Sequence, residues 1–130
     1  MERAIEIEVR PTEIDELGHV NNAKYVEYLE WGREDWYEHF GLSTDQLSLK
    51  NIGTVLVNLN INYRREARKG DYLKIVTRPK RKGNTSFVLR QEIFNRCGYL
   101  VADADVTIVL FDLQERKSVP LPEEFVVVFS

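Results

Sequence analysis

The chain holds a single cysteine, Cys97, so no disulfide can close within it and no thiolate cluster can bind a metal. Cys97 stands in Asn95-Arg96-Cys97-Gly98, which reads as a hairpin turn, with no activating partner beside it. Histidine is almost as scarce. His19 and His39 lie at no metal-ligand spacing with the cysteine, so neither a metal nor another resident cofactor is expected. No apolar run is long enough to make a membrane-spanning helix. Met1-Glu2-Arg3-Ala4-Ile5-Glu6 is too charged for a signal peptide, so the cytoplasm is the expected compartment. Excess positive charge is also lacking: 18 Lys and Arg against 21 Asp and Glu leave a net charge of −3. That argues against nucleic acid as the main partner, because such binding works by neutralising phosphates. Repeats, linkers and low-complexity stretches are absent.

What remains is an ordinary globular composition, 130 residues with 43% hydrophobic and 30% charged. Residues 1–130 read as one domain able to bury its own core. Ile5, Ile7 and Val9 alternate with glutamates as in a half-buried strand, which Pro11 then limits. From Ala23 to about His39 the period changes. Val26, Leu29, Arg33, Trp36, Tyr37 and Phe40 recur at helical steps, Tyr28 and Trp31 widen that apolar surface, and Gly41 supplies a stop. A short helical turn fits Thr44 to Leu49. Val55, Val57, Leu59, Ile61 and Tyr63 then alternate in a long strand. Strands are expected at Tyr72–Thr77, Thr85–Phe94 and Tyr99–Asp112, and in the last of these Leu100, Ala102, Ala104, Val106, Ile108 and Leu110 share one apolar face. An apolar tail, Phe125 to Phe129, ends the chain. Consecutive strands with short turns should pair antiparallel, so the fold class is α+β: a curved antiparallel sheet wrapped around one helix. Its open edges and outer face predict association of copies.

The stretch richest in chemistry is Asp15-Glu16-Leu17-Gly18-His19-Val20-Asn21-Asn22, a polar loop that runs into the helix. Gly18 permits a tight turn that brings Asp15 and His19 together, and Asn21 or Asn22 is a suitable N-cap. The first helical turn has N–H groups without intrahelical partners, so it can polarise a carbonyl oxygen placed against it. A carboxylate beside that oxygen makes a plausible device for hydrolysing an activated acyl group. The alternative is structural, with Asp15 and Asn22 closing a turn and capping a helix.

Three segments carry a family resemblance: Arg10-Pro11-Thr12-Glu13-Ile14 running through this loop to Ala23-Lys24-Tyr25, then Ile61-Asn62-Tyr63-Arg64-Arg65-Glu66-Ala67 before Gly70-Asp71, and Gly83-Asn84-Thr85-Ser86-Phe87. With them the chain resembles the hotdog-fold acyl thioesterases of the 4-hydroxybenzoyl-CoA thioesterase type. The resemblance implies hydrolysis of acyl-CoA or acyl carrier protein thioesters, with Asp15 as nucleophile or general base. It also implies amides around Asn22, Ala23 and Tyr25 as carbonyl-polarising groups, and an active site between the subunits of a homodimer or homotetramer. The loop is also similar to that of plant acyl-ACP thioesterases. Asp15, His19, Val20, Asn21 and Asn22 match that pattern, Leu17 replaces an asparagine, and Glu66 matches a glutamate after the Tyr-Arg-Arg segment. His19 is therefore a candidate for orienting substrate or water, and Glu66 a candidate site residue.

A thioester carbonyl is already electrophilic, so its hydrolysis needs a positioned base and oxyanion stabilisation, with coenzyme A present as part of the substrate. Tyr25, Tyr28, Leu29, Trp31, Val55 and Val57 are candidate walls of an acyl pocket, or core residues. The basic run Arg78, Lys80, Arg81 and Lys82 is a candidate for coenzyme A phosphates or an acidic carrier surface, Arg81 and Lys82 above all; the alternative is a solvated turn. A hydratase or dehydratase of the same fold, and a non-catalytic acyl-thioester binder, are the rival functions.

Overall fold

The computed structural model describes residues 1–130. Its strands are β1 (Arg3–Glu8), β2 (Ile52–Tyr63), β3 (Tyr72–Lys82), β4 (Ser86–Asn95) and β5 (Leu100–Asp112). They form one antiparallel sheet in the order β1-β3-β4-β5-β2. The long helix α1 (Asn22–His39) packs against β1 and β3, while the short helices α2 (Thr44–Ser48) and α3 (Glu123–Val128) contribute Leu47, Phe125 and Val128 to the core.

α1 begins where Asn21 accepts the Ala23 N–H on its side-chain oxygen at 2.9 Å. It buries Tyr25, Tyr28, Leu29, Gly32, Arg33 and Trp36. That stripe is turned from the expected one, because two tyrosines take the place of Val26. Gly32 is the point of closest approach to the sheet. A Cβ there would lie 2.7 Å from Ile75 Cγ2 and 3.1 Å from Gln91 Nε2. The space is needed for a polar seam through the core. Gln91 donates to the Leu29 carbonyl and to Thr77 Oγ1, both at 2.9 Å, and accepts from Arg33 at 3.1 Å. Burial lowers the pKa of the Arg33 guanidinium below its ordinary value.

The apolar face expected of β5 holds, and β4 alternates in step with it. Phe87, Leu89 and Gln91 pair with Ile108, Val106 and Ala104, and Gln91 fixes this as the face toward α1. On the other face Arg90 and Lys80 meet Asp105, and Arg64 meets Asp103.

Several expectations are corrected. β2 does not pair with β3, although they follow each other; it pairs with β5 at the sheet edge, and residues 64–71 carry the chain across. β3 runs past Thr77 to Lys82, because β4 pairs with it as far as Lys82↔Phe87, whereas β1 flanks it only as far as Arg3↔Thr77. Pro79 thus lies in the part of β3 without that neighbour, next to a register slip between Pro79 and Arg81. Val55 and Val57 are exposed, not walls of a pocket within the chain, since a bulge between Leu56 and Asn58 breaks the alternation of an edge strand. The apolar tail is the helix α3.

Gly32→Ala should lower stability by about 1–3 kcal/mol through overpacking, despite the roughly 1 kcal/mol that alanine gains in helix propensity. Urea denaturation checks this; a midpoint at or above that of the native protein would refute the close-packing account.

Candidate active site

Three segments meet at Ala67. Its N–H donates to the Tyr25 hydroxyl at 3.0 Å, and its carbonyl accepts the Val20 N–H at 2.8 Å. The helix, the polar loop and the segment after β2 are thereby tied together, in a place where Tyr25 and Ala67 are buried. Burial raises the pKa of the Tyr25 hydroxyl, which favours its neutral, hydrogen-bonding form.

A second tie anchors the start of the loop. The chain makes one 3₁₀ turn at Pro11–Glu13, and the buried Glu13 carboxylate accepts from the Tyr28 hydroxyl and the Arg10 N–H, both at 2.8 Å. Beyond it the loop closes on itself. The Asp15 N–H donates to the His19 carbonyl at 2.9 Å, the Gly18 N–H donates to the Asp15 carbonyl at 3.1 Å, and Gly18 takes φ +87°.

The result is a cavity of about 530 Å³ lined by Asp15, His19, Asn22, Tyr25, Glu66 and their neighbours. Asp15 spends Oδ1 on the Leu17 N–H at 2.9 Å, and its Oδ2 lies 3.8 Å from His19 Nδ1. On the other side His19 Nε2 lies 3.8 Å from Glu66 Oε2, so the imidazole stands between two carboxylates without a hydrogen bond to either. Arg68 bonds Glu66 at 2.5 Å and holds its carboxyl below the usual range.

The amides at the helix start are not equivalent. The Ala23 N–H is occupied by Asn21, and the Lys24 N–H donates to the Asn21 carbonyl at 2.9 Å. The Asn22 N–H has no acceptor in the chain. Ala23 is accordingly not part of the lining, whereas Asn22 is. Arg81 and Lys82 are not brought to the cavity either. They end β3 about 30 Å of strand from Tyr72, the end that adjoins residues 66–71. Tyr63, Arg64 and Arg65 also line it, although in the sequence they stand out only as part of the Ile61-to-Ala67 segment. The signal was their run with Glu66, in a segment that leaves the sheet edge and crosses to the helix start. Tyr63 donates to the Asn22 carbonyl at 3.1 Å and meets the Tyr25 ring edge-on at 5.5 Å.

Replacing Arg68 by Gln should raise the Glu66 titration midpoint toward the ordinary glutamate range, because the cation that lowers it is gone. Side-chain carboxyl NMR across pH 2–7 reads this directly, and an unmoved midpoint would show that Arg68 does not set it.

Residues 9–129 match the family model described as the thioesterase-like superfamily. Over 120 residues the chain is 40% identical to the long-chain acyl-CoA thioesterase FadM of Escherichia coli (strain K12), covering 92% of this chain and 90% of that protein. The crystal structure of YbaW, a probable thioesterase from Escherichia coli, superposes with TM-score 0.84 at 34% identity, covering 98% of both chains. Slr0204 from Synechocystis, a 1,4-dihydroxy-2-naphthoyl-CoA thioesterase, has TM-score 0.89 at 24% identity, covering 99% of this chain and 96% of that one. That likeness speaks for the fold; the first two, which span nearly the whole chain, speak for the family. The chain belongs to the thioesterase-like superfamily and is a thioester hydrolase of the hotdog fold.

Proposed function

We propose that the enzyme hydrolyses acyl-CoA esters to a free acid and a thiol, with Asp15 as the reacting carboxylate. One observation carries this reading: two unspent groups of opposite character, Asp15 Oδ2 and the Asn22 N–H, belong to residues lining the same cavity. The thioester oxygen accepts from the Asn22 N–H at the positive end of α1, where negative charge develops in the transition state. Asp15 then removes a proton from the attacking water, or attacks the carbonyl carbon itself to form a mixed anhydride, which water hydrolyses after the thiol has left, releasing the free acid and restoring the Asp15 carboxylate. In either route the C–S bond breaks as the oxyanion collapses, and the thiolate leaves and takes up a proton. The chemistry calls for no metal or resident cofactor. His19, between Asp15 and Glu66, orients the water, and Tyr63 steadies the helix start through the Asn22 carbonyl. The name of the Escherichia coli relative favours a coenzyme A carrier. A single unpaired cysteine suits a reducing cytoplasm.

The working unit is a homodimer with the site at the subunit interface. β2 is an edge strand with β5 as its one neighbour, and it exposes Val55, Leu56 and Val57 at 44%, 42% and 54%. Such an edge invites pairing with a second copy of itself.

Asp15→Asn keeps the size and removes the basic oxygen, so turnover of acyl-CoA esters should fall at least ~100-fold while the fold persists. Thiol release across short, long and aromatic esters measures this; full activity in the variant would overturn the role of Asp15. Val57→Lys should shift the protein toward monomer in sedimentation velocity and lower activity with it, and an unchanged sedimentation coefficient would argue against the β2 edge as the contact.

A further inference from the structure

The cations near the cavity differ in how they are spent. Arg64 donates to the buried Asp103 carboxylate at 2.8 Å, and Arg68 is committed to Glu66 at 2.5 Å. Arg65 pairs with no carboxylate, although it lines the same cavity as Asp15 and Asn22. Its guanidinium sits over the ring of Tyr99, 4.2 Å from the centroid.

The backbone explains this position. The N–H groups of Arg64 and Arg65 both donate to the Val101 carbonyl, at 2.8 and 3.1 Å, just where β2 ends. Successive side chains therefore diverge, Arg64 to Asp103 and Arg65 to Tyr99, on the turn that joins β4 to β5. Stacking on a ring steadies the guanidinium plane and leaves its N–H edges free to donate to two phosphate oxygens together. Tyr63, whose hydroxyl reaches the Asn22 carbonyl, precedes Arg65 by two residues, at most about 7 Å along a chain that bends at Arg65. One wall thus runs from the helix start, where the thioester carbonyl is held, to an unneutralised arginine at the exposed rim.

We propose that Arg65, stacked on Tyr99, anchors the phosphate at the end of the substrate's pantetheine arm. This rests on the thioesterase reading and adds how the carrier is gripped. The shared chemistry is the pantetheine phosphate, found in the pyrophosphate of coenzyme A and in the phosphodiester of a carrier protein. The basic run at Arg81 and Lys82 has no part in this grip within one chain, since it lies at the far end of β3.

The test compares native protein, Arg65→Gln, Arg65→Lys and Arg116→Gln on one acyl group carried by coenzyme A, by phosphopantetheine, by carrier protein and by phosphate-free pantetheine. Arg116 stacks on Phe111 at the other end of β5 and serves as the control. In Arg65→Gln the KM should rise about tenfold for phosphate-bearing esters, with kcat kept and with the salt dependence of KM flattened. KM for the pantetheine ester should not move, Arg65→Lys should fall between, and Arg116→Gln should match native protein. A rise with all phosphate-bearing esters assigns the shared phosphate, and a rise with coenzyme A alone assigns its pyrophosphate. Equal losses on all four esters, or none, overturn the proposal. Calorimetric binding of free coenzyme A separates it from the hydrolase reading. If no ester is turned over but Arg65→Gln still weakens that binding about tenfold, the anchor stands and the hydrolase reading falls. Hydrolysis with an unaltered KM in Arg65→Gln has the opposite meaning.

Discussion

The two hydrogen bonds of Ala67 are the constraint on which the site depends. Its N–H meets a tyrosine hydroxyl from α1, and its carbonyl meets the backbone of the polar loop. Both lie out of water, where an unmade bond costs about 1–3 kcal/mol, so neither is easily given up. Because Glu66 and Arg68 flank Ala67 in sequence, fixing that residue also fixes the carboxylate opposite His19 and the cation that holds it. The loop is held at its other end by Glu13 on Tyr28. Asp15 thus stands on a segment pinned on both sides.

The helix is held by a different kind of contact, and its placement decides where the free Asn22 N–H points. Gly32 lets α1 come close to β3, and the seam of Gln91, Thr77 and Arg33 satisfies the polar groups enclosed there. A buried arginine hydrogen-bonded to a glutamine amide specifies one depth and one rotation of the helix. Apolar packing alone tolerates small shifts of both.

Charge around the cavity is spent unevenly, and that unevenness is informative. Ion pairs on the outer sheet face neutralise Arg64, Lys80 and Arg90 against Asp103 and Asp105. Near the cavity, Asp15 Oδ2 and the Asn22 N–H make no hydrogen bond, and Arg65, stacked on Tyr99, pairs with no carboxylate. In the mechanism proposed above, those three supply a base, an oxyanion donor and a phosphate anchor for a thioester with an anionic carrier.

Local pattern in the sequence determined the elements: α1 and its stop at Gly41, the strand β4 and the apolar face of β5, the turn around Cys97, and the loop that brings Asp15 to His19. These depend on periods of two or 3.6 residues and on glycine at positive φ, which neighbouring residues settle among themselves. The matches of Asp15, His19, Asn22 and Glu66 to a family pattern were legible for the same reason. Tertiary structure alone decided which strands are neighbours, and so that β2 lies at an edge with Val55 and Val57 exposed, although it is followed directly by β3. It also decided that Ala23 gives its amide to a cap, that Arg81 and Lys82 lie at the far end of β3, and that Arg65 lines the cavity. Those outcomes depend on contacts between residues distant in the chain, and no local period encodes them.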